Sequence, residues 1–135
     1  MSASLRFGLA LFVAGLLAAS AALSLAQWQR EARARTMAEA ATGGHVDAGK
    51  VLIGRYGCGA CHEIPSVLAA SGRVGPSLEG FAGRAEIAGL LPNDPAELDL
   101  WLRKPQSVKP GNGMPNQGIS ETDARDIAAY LLTLN

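Results

Sequence analysis

Cys58-Gly59-Ala60-Cys61-His62 is the stretch that decides how the rest of this chain is read. Two thiols separated by two residues can curl toward one flat macrocycle, and each can add across a vinyl group to form a thioether. The histidine follows at once, so its imidazole can turn under the ring and bind a central iron. That combination is the attachment pattern of a c-type haem. The chain has 2 cysteines, and the motif uses both.

Other chemistries use parts of the same pattern. Cys-Gly-Ala-Cys also fits a thioredoxin-like redox pair, but that reading needs a βαβ setting, and the flanks are not strand-rich. A zinc site needs four ligands. The chain offers two cysteines and two histidines, His45 and His62, and the adjacency of Cys61 and His62 is a poor spacing for one tetrahedral ion.

The 135 residues have room for one small domain and an appendage. Net charge is zero but unevenly spread. Up to Met37 the chain carries Arg6, Arg30, Arg33 and Arg35 against Glu31. From His45 onward there are eight basic and ten acidic side chains, a balance of −2. Nucleic acid is a poor partner for such a surface, because phosphate binding needs a cationic face. A small domain buries a limited core, so a haem would be its largest apolar component.

Phe7 to Ala26 carries no charge. As a helix it would be about 30 Å long, enough to cross a bilayer. Ser24-Leu25-Ala26 also reads as a small-x-small cleavage site, so a removed signal peptide is the alternative. The length favours a retained anchor. Three arginines after the run and one before it oppose the positive-inside rule for an outward C-terminus. Gln27 to Ala41 is expected to continue as a solvated helix, with Trp28 at the membrane interface, until Thr42-Gly43-Gly44 breaks it. The expected organisation is a transmembrane helix over 1–26, a juxtamembrane linker over 27–44 and a haem domain over 45–135.

Within that domain, Asp47 is expected to cap a helix running to about Tyr56 that buries Val51, Leu52 and Tyr56, with Gly49 admitting another helix. Gly57 should end it. Ile64 to Gly83 reads as connector and turns. Asp94-Pro95-Ala96-Glu97 is a helix start with a capping box, and Pro105 should stop that helix near Lys104. Leu98, Trp101 and Leu102 share its inner face. Lys109 to Asn116 is a loop carrying Met114, a methionine that serves no amphipathic face and so is a candidate ligand. Ser120 should cap the last helix, whose apolar stripe is Ala124, Ile127, Ala128, Leu131 and Leu134.

From about Asp47 to Asn135 the chain resembles class I cytochromes c. The resemblance rests on the haem motif, Val74-Gly75-Pro76-Ser77-Leu78, Gly83-Arg84, Trp101-Leu102-Arg103-Lys104-Pro105, the Met114 loop and Ala129-Tyr130-Leu131. Gly89-Leu90-Leu91-Pro92-Asn93 and Val108 to Pro115 look more narrowly like the cytochrome c domain fused to subunit II of some haem-copper oxidases. No cupredoxin domain or copper-ligand cluster accompanies it here, so the chain looks like that haem domain standing alone on its own anchor. The resemblance implies an all-α cytochrome c fold around one haem c. It implies that Cys58 and Cys61 hold the haem and that His62 and Met114 bind iron. It implies that the Pro76 carbonyl orients His62 and that Arg84 faces a propionate. Trp101 would lie on the methionine side, where the family often has tyrosine. The expected function is electron carriage, not catalysis, at the periplasmic face of a bacterial inner membrane. A quinol-oxidising complex or other reductase would be the donor and a terminal oxidase the acceptor. The alternatives are a fixed subunit of an oxidase or dehydrogenase complex, or a soluble periplasmic carrier after signal cleavage.

Overall fold

The computed structural model describes residues 2–135. Its contacts divide the chain into two units, the first ending at Arg33 and the second running from Ala34 to Asn135. Helix α1 covers Ala3–Thr42. In the first unit it carries an apolar stretch of mean hydropathy 2.2, none of it buried, and it is long and apolar enough to cross a membrane. The polar side chains within that stretch are satisfied locally. Ser20 Oγ donates to the Leu17 carbonyl at 2.9 Å and Ser24 Oγ to the Ser20 carbonyl at 3.0 Å.

The second unit is mostly helical. It begins with the last turns of α1, and residues 34–44, read above as linker, pack with it. Ala38 and Thr42 are buried. Glu39 Oε1 accepts from the Val46 N–H (3.0 Å), which fills a vacant donor at the start of helix α2, Val46–Arg55. Asp47 does not cap α2. It lies in the first turn and pairs bidentately with Arg35, at 3.0 and 2.7 Å, while His45 is the N-cap and its own N–H donates to Asp126 Oδ1 (2.7 Å). Gly57, at φ 68°, terminates the helix as expected.

Helix α3 covers Pro95–Arg103, with Asp94 Oδ1 accepting from the Ala96 and Glu97 N–H groups. The capping box is not closed, because the Asp94 N–H donates to the Pro92 carbonyl instead. A short helix, α4, covers Pro105–Val108, and α5 covers Glu121–Leu131 with Ser120 Oγ accepting from the Asp123 N–H. Between the cysteine motif and α3 lies a small antiparallel hairpin, β1 (Glu86–Ile87) and β2 (Leu91–Pro92), in a stretch for which the sequence suggests no element.

The core forms where α2 and α3 pack on α5. Ile53, Leu98, Ile127, Ala124 and Ala129 are almost completely buried. Gly49 sits where α2 meets the Asp126 backbone, so the close helix approach is real. Val51 faces solvent, 71% exposed, contrary to expectation, because Gly49, Leu52 and Ile53 take the buried face of α2.

Candidate functional site

One cleft of about 310 Å³ collects Cys58, Cys61, His62, Pro76, Arg84, Trp101 and Met114, every residue singled out above for the site. Apolar side chains from several elements line it, among them Ile53 of α2, Leu98 and Leu102 of α3, and Ile127 and Leu131 of α5. Leu78 and Phe81, from the segment that follows the cysteine motif, and Ile87 of β1 complete the apolar wall.

The cysteine segment is shaped by backbone bonds. After Gly57 the chain makes a single 3-10 turn over Cys58–Ala60, and the Cys58 carbonyl accepts from both the Cys61 and His62 N–H groups, at 3.2 and 2.9 Å. That curl brings both thiols and the imidazole to one cleft. Burial pushes the Cys58 thiol up from its ordinary value. A redox-active Cys-x-x-C pair needs the opposite shift. Among the described residues, no group of three or more His, Cys, Asp or Glu side chains stands together as a metal cluster.

His62 is oriented from two sides. Its Nδ1 lies 2.7 Å from the Pro76 carbonyl, a contact that requires Nδ1 to carry the proton and donate. In the neutral ring Nε2 is then the nitrogen with the free lone pair, the form an imidazole takes as a metal ligand. Gly75 lies flat against the ring: a Cβ there would stand 2.7 Å from Nδ1 and 2.9 Å from Nε2. The Gly75 N–H in turn donates to the Cys61 carbonyl at 2.8 Å, tying this wall to the cysteine turn.

Arg84 Nη2 donates to the Ser77 and Glu79 carbonyls, at 2.5 and 3.0 Å, and its guanidinium carbon sits 5.5 Å from the centre of the Phe81 ring. Nη1 and Nε have no protein partner among the described residues and can meet a carboxylate at the cleft. Trp101 and Met114 are half-buried on the cleft wall. The Met114 loop is cross-braced by the side-chain amides of Gln106 and Asn112, for which the sequence reading had no role. His45 is exposed at the start of α2 and does not line the cleft.

The donor set fits a haem. There are two thiols beside one imidazole with an available nitrogen, a thioether on the same cleft, an apolar enclosure and a cation for a propionate.

A family model described as Cytochrome c matches residues 46–135. Cytochrome c oxidase subunit 2 of Alkalihalophilus pseudofirmus is 37% identical over 87 residues, covering 64% of this chain and 25% of that protein. The same subunit of Bacillus subtilis is 33% identical over 82 residues, covering 56% of this chain and 23% of that protein. Cytochrome c2 iso-2 of Magnetospirillum molischianum is 37% identical over 90 residues, covering 57% of this chain and 90% of that protein. The chain thus spans about a quarter of the oxidase subunits it resembles. No solved structure was found to match it.

Proposed function

Because the chain belongs to the cytochrome c family, we propose that it is a membrane-anchored carrier of single electrons in a bacterial respiratory chain, with a terminal oxidase as acceptor. Members of this family are electron carriers rather than catalysts, and a cytochrome c domain implies a covalently bound haem c. In the proposed arrangement there is one haem. Cys58 and Cys61 would hold it by thioethers, and His62 Nε2 and Met114 Sδ would both ligate its iron, which would leave no open site for a substrate. When bound, the haem supplies a one-electron Fe(III)/Fe(II) couple, and a thioether ligand raises its potential. Pro76 keeps His62 in the coordinating tautomer. Arg84 offsets the charge of a propionate by a charge-assisted hydrogen bond, and Trp101 closes the methionine side. The observation that carries this reading is the convergence of both cysteines, His62 and Met114 on one apolar cleft.

Residues 1–26 act as the anchor, 27–44 as the juxtamembrane segment and 45–135 as the haem domain on the periplasmic side. The long apolar helix supports this, as do its internally bonded serines, since lipid offers no partner for a polar group. Resemblance to oxidase subunits supports the choice of acceptor, and a quinol-oxidising complex is the donor proposed.

The test is the optical spectrum of the purified protein with and without carbon monoxide. The reading requires that the reduced native protein exclude carbon monoxide. It also requires that Met114→Ala bind it and lose the sulfur–iron charge-transfer band of the oxidised form. Carbon monoxide binding to the native protein, or an unchanged band in Met114→Ala, would remove Met114 as the sixth ligand.

A further inference from the structure

The segment that presents Met114 has little backbone bonding of its own. Pro110 and Pro115 cannot donate, and Gly111 and Gly113 contribute no side chain. Two side-chain amides supply what the backbone lacks. Gln106, on α4, reaches across the loop: Nε2 donates to the Asn112 carbonyl (2.8 Å) and the Met114 carbonyl (2.7 Å), and Oε1 accepts from the Gly111 N–H (3.0 Å). Asn112 works from inside the loop. Its Oδ1 accepts from the Met114 N–H (2.7 Å), and its Nδ2 donates to the Pro105 carbonyl (2.9 Å) and the Lys109 carbonyl (2.7 Å). Asn116 closes the outer side, its Oδ1 accepting from the Gln106 N–H at 3.2 Å.

Neither amide can be turned over. Reversing Gln106 would set its oxygen against two carbonyls, and reversing Asn112 would do the same while facing the Met114 N–H with a donor. Both main-chain polar groups of Met114 are therefore held by side chains, its N–H by Asn112 and its carbonyl by Gln106. The residue is fixed on both sides of the Cα from which the thioether enters the cleft.

We propose that Gln106 and Asn112 are the positioning residues for the Met114 sulfur, and that their amides set how readily that sulfur leaves the iron. The proposal rests on Met114 being an axial ligand. An external ligand such as imidazole binds ferric iron only when Met114 has let go, so its apparent affinity reports the population of the released state. Gln106→Leu keeps the side chain's approximate volume and deletes three hydrogen bonds, each worth several-fold in an equilibrium. The released state should therefore gain about 10- to 100-fold.

The experiment is an imidazole titration of the full-length ferric holoprotein in detergent, followed in the Soret band, for the native chain, Gln106→Leu, Asn112→Ala and Ser107→Ala. The same Gln106→Leu change is also made in a Met114→Ala background. Imidazole should bind about 10- to 100-fold more tightly to Gln106→Leu, and Asn112→Ala should move the same way. Ser107→Ala, an exposed neighbour on α4, should match the native chain. In the Met114→Ala background Gln106→Leu should have no effect, because no sulfur remains to be positioned. Measuring both amide variants leaves a decision even if one fails to assemble. Native affinity in Gln106→Leu or Asn112→Ala would overturn the proposal, and so would an equal increase with and without Met114, which would mean general loosening. If Met114→Ala alone bound imidazole no better than the native chain, the ligand assignment itself would fall.

Discussion

Replacing Gly49 by alanine tests the helix crossing on which the cleft is built. A Cβ at Gly49 would overlap the Asp126 carbonyl oxygen, lie 2.6 Å from its carbon and lie 3.0 Å from Tyr130 Cβ. Carbon atoms pack comfortably at about 3.5–4.0 Å, so α2 and α5 would have to separate by about 1 Å. Most of the obstructing atoms are backbone, which cannot rotate away. Overpacking of this kind costs about 1–3 kcal/mol, and a rigid backbone obstacle belongs at the upper end. Alanine's better helix propensity offsets about 1 kcal/mol. The expected net loss is about 2 kcal/mol, or a fall in melting temperature of about 8–16 °C for a domain of this size. Gly54 is the internal control. It lies on the same helix, is exposed, and a Cβ there meets nothing within 4 Å. Gly54→Ala should therefore stabilise by about 0.5 kcal/mol. Guanidinium and thermal unfolding of the holoprotein, followed by far-ultraviolet circular dichroism, measures both. A Gly49→Ala protein as stable as the native one, or a Gly54→Ala protein that falls equally far, would refute the crossing geometry.

Three further outcomes are expected. Hydrogen bonding from Arg35, with its positive charge, holds the Asp47 carboxyl below its ordinary value. The pair's contribution is therefore present above the usual carboxylate range and is lost as pH falls through the depressed value. The stability advantage of the native protein over Arg35→Leu should vanish in acid, and an advantage independent of pH would contradict this. The Tyr56 hydroxyl donates to Asp123 Oδ2 at 2.6 Å, and that bond raises the tyrosine above its ordinary value. Its contribution is complete below pH 10 and lost as pH rises through the raised value, so the advantage over Tyr56→Phe should disappear only in alkali. Deleting residues up to Gln27 should sharply lower turnover with the native oxidase, because tethering raises effective concentration at the membrane. Equal rates over a salt series at equal bulk concentration would argue against the anchor.

The features most legible in the sequence were those written in local chemistry. The cysteine motif, the Asp94-Pro95 start, the Ser120 cap and the stop at Gly57 each depend on neighbours in the chain, and the structure has them. Features set by distant partners were not legible. Asp47 looks like a cap until Arg35, from the preceding helix, takes its carboxylate. Val51 looks like a core residue until Gly49 brings a different face of α2 onto α5. The β1–β2 hairpin has two residues per strand, too few to display an alternation. Ala38 and Thr42 are too small to signal that the end of α1 packs with the domain. The cleft residues were named individually from motif and resemblance. Their convergence depends on α2, α3 and α5 meeting, and the amide bracing of Met114 depends on a loop conformation that Gln106 and Asn112 themselves create.

Covalent binding of one haem by Cys58 and Cys61 is read out by the intact mass of the denatured, purified protein. The expected result is a single species heavier than the polypeptide by one haem, with the pigment staying with the protein through acid-acetone extraction. The bare polypeptide mass, with the pigment recovered in the solvent phase, would contradict it.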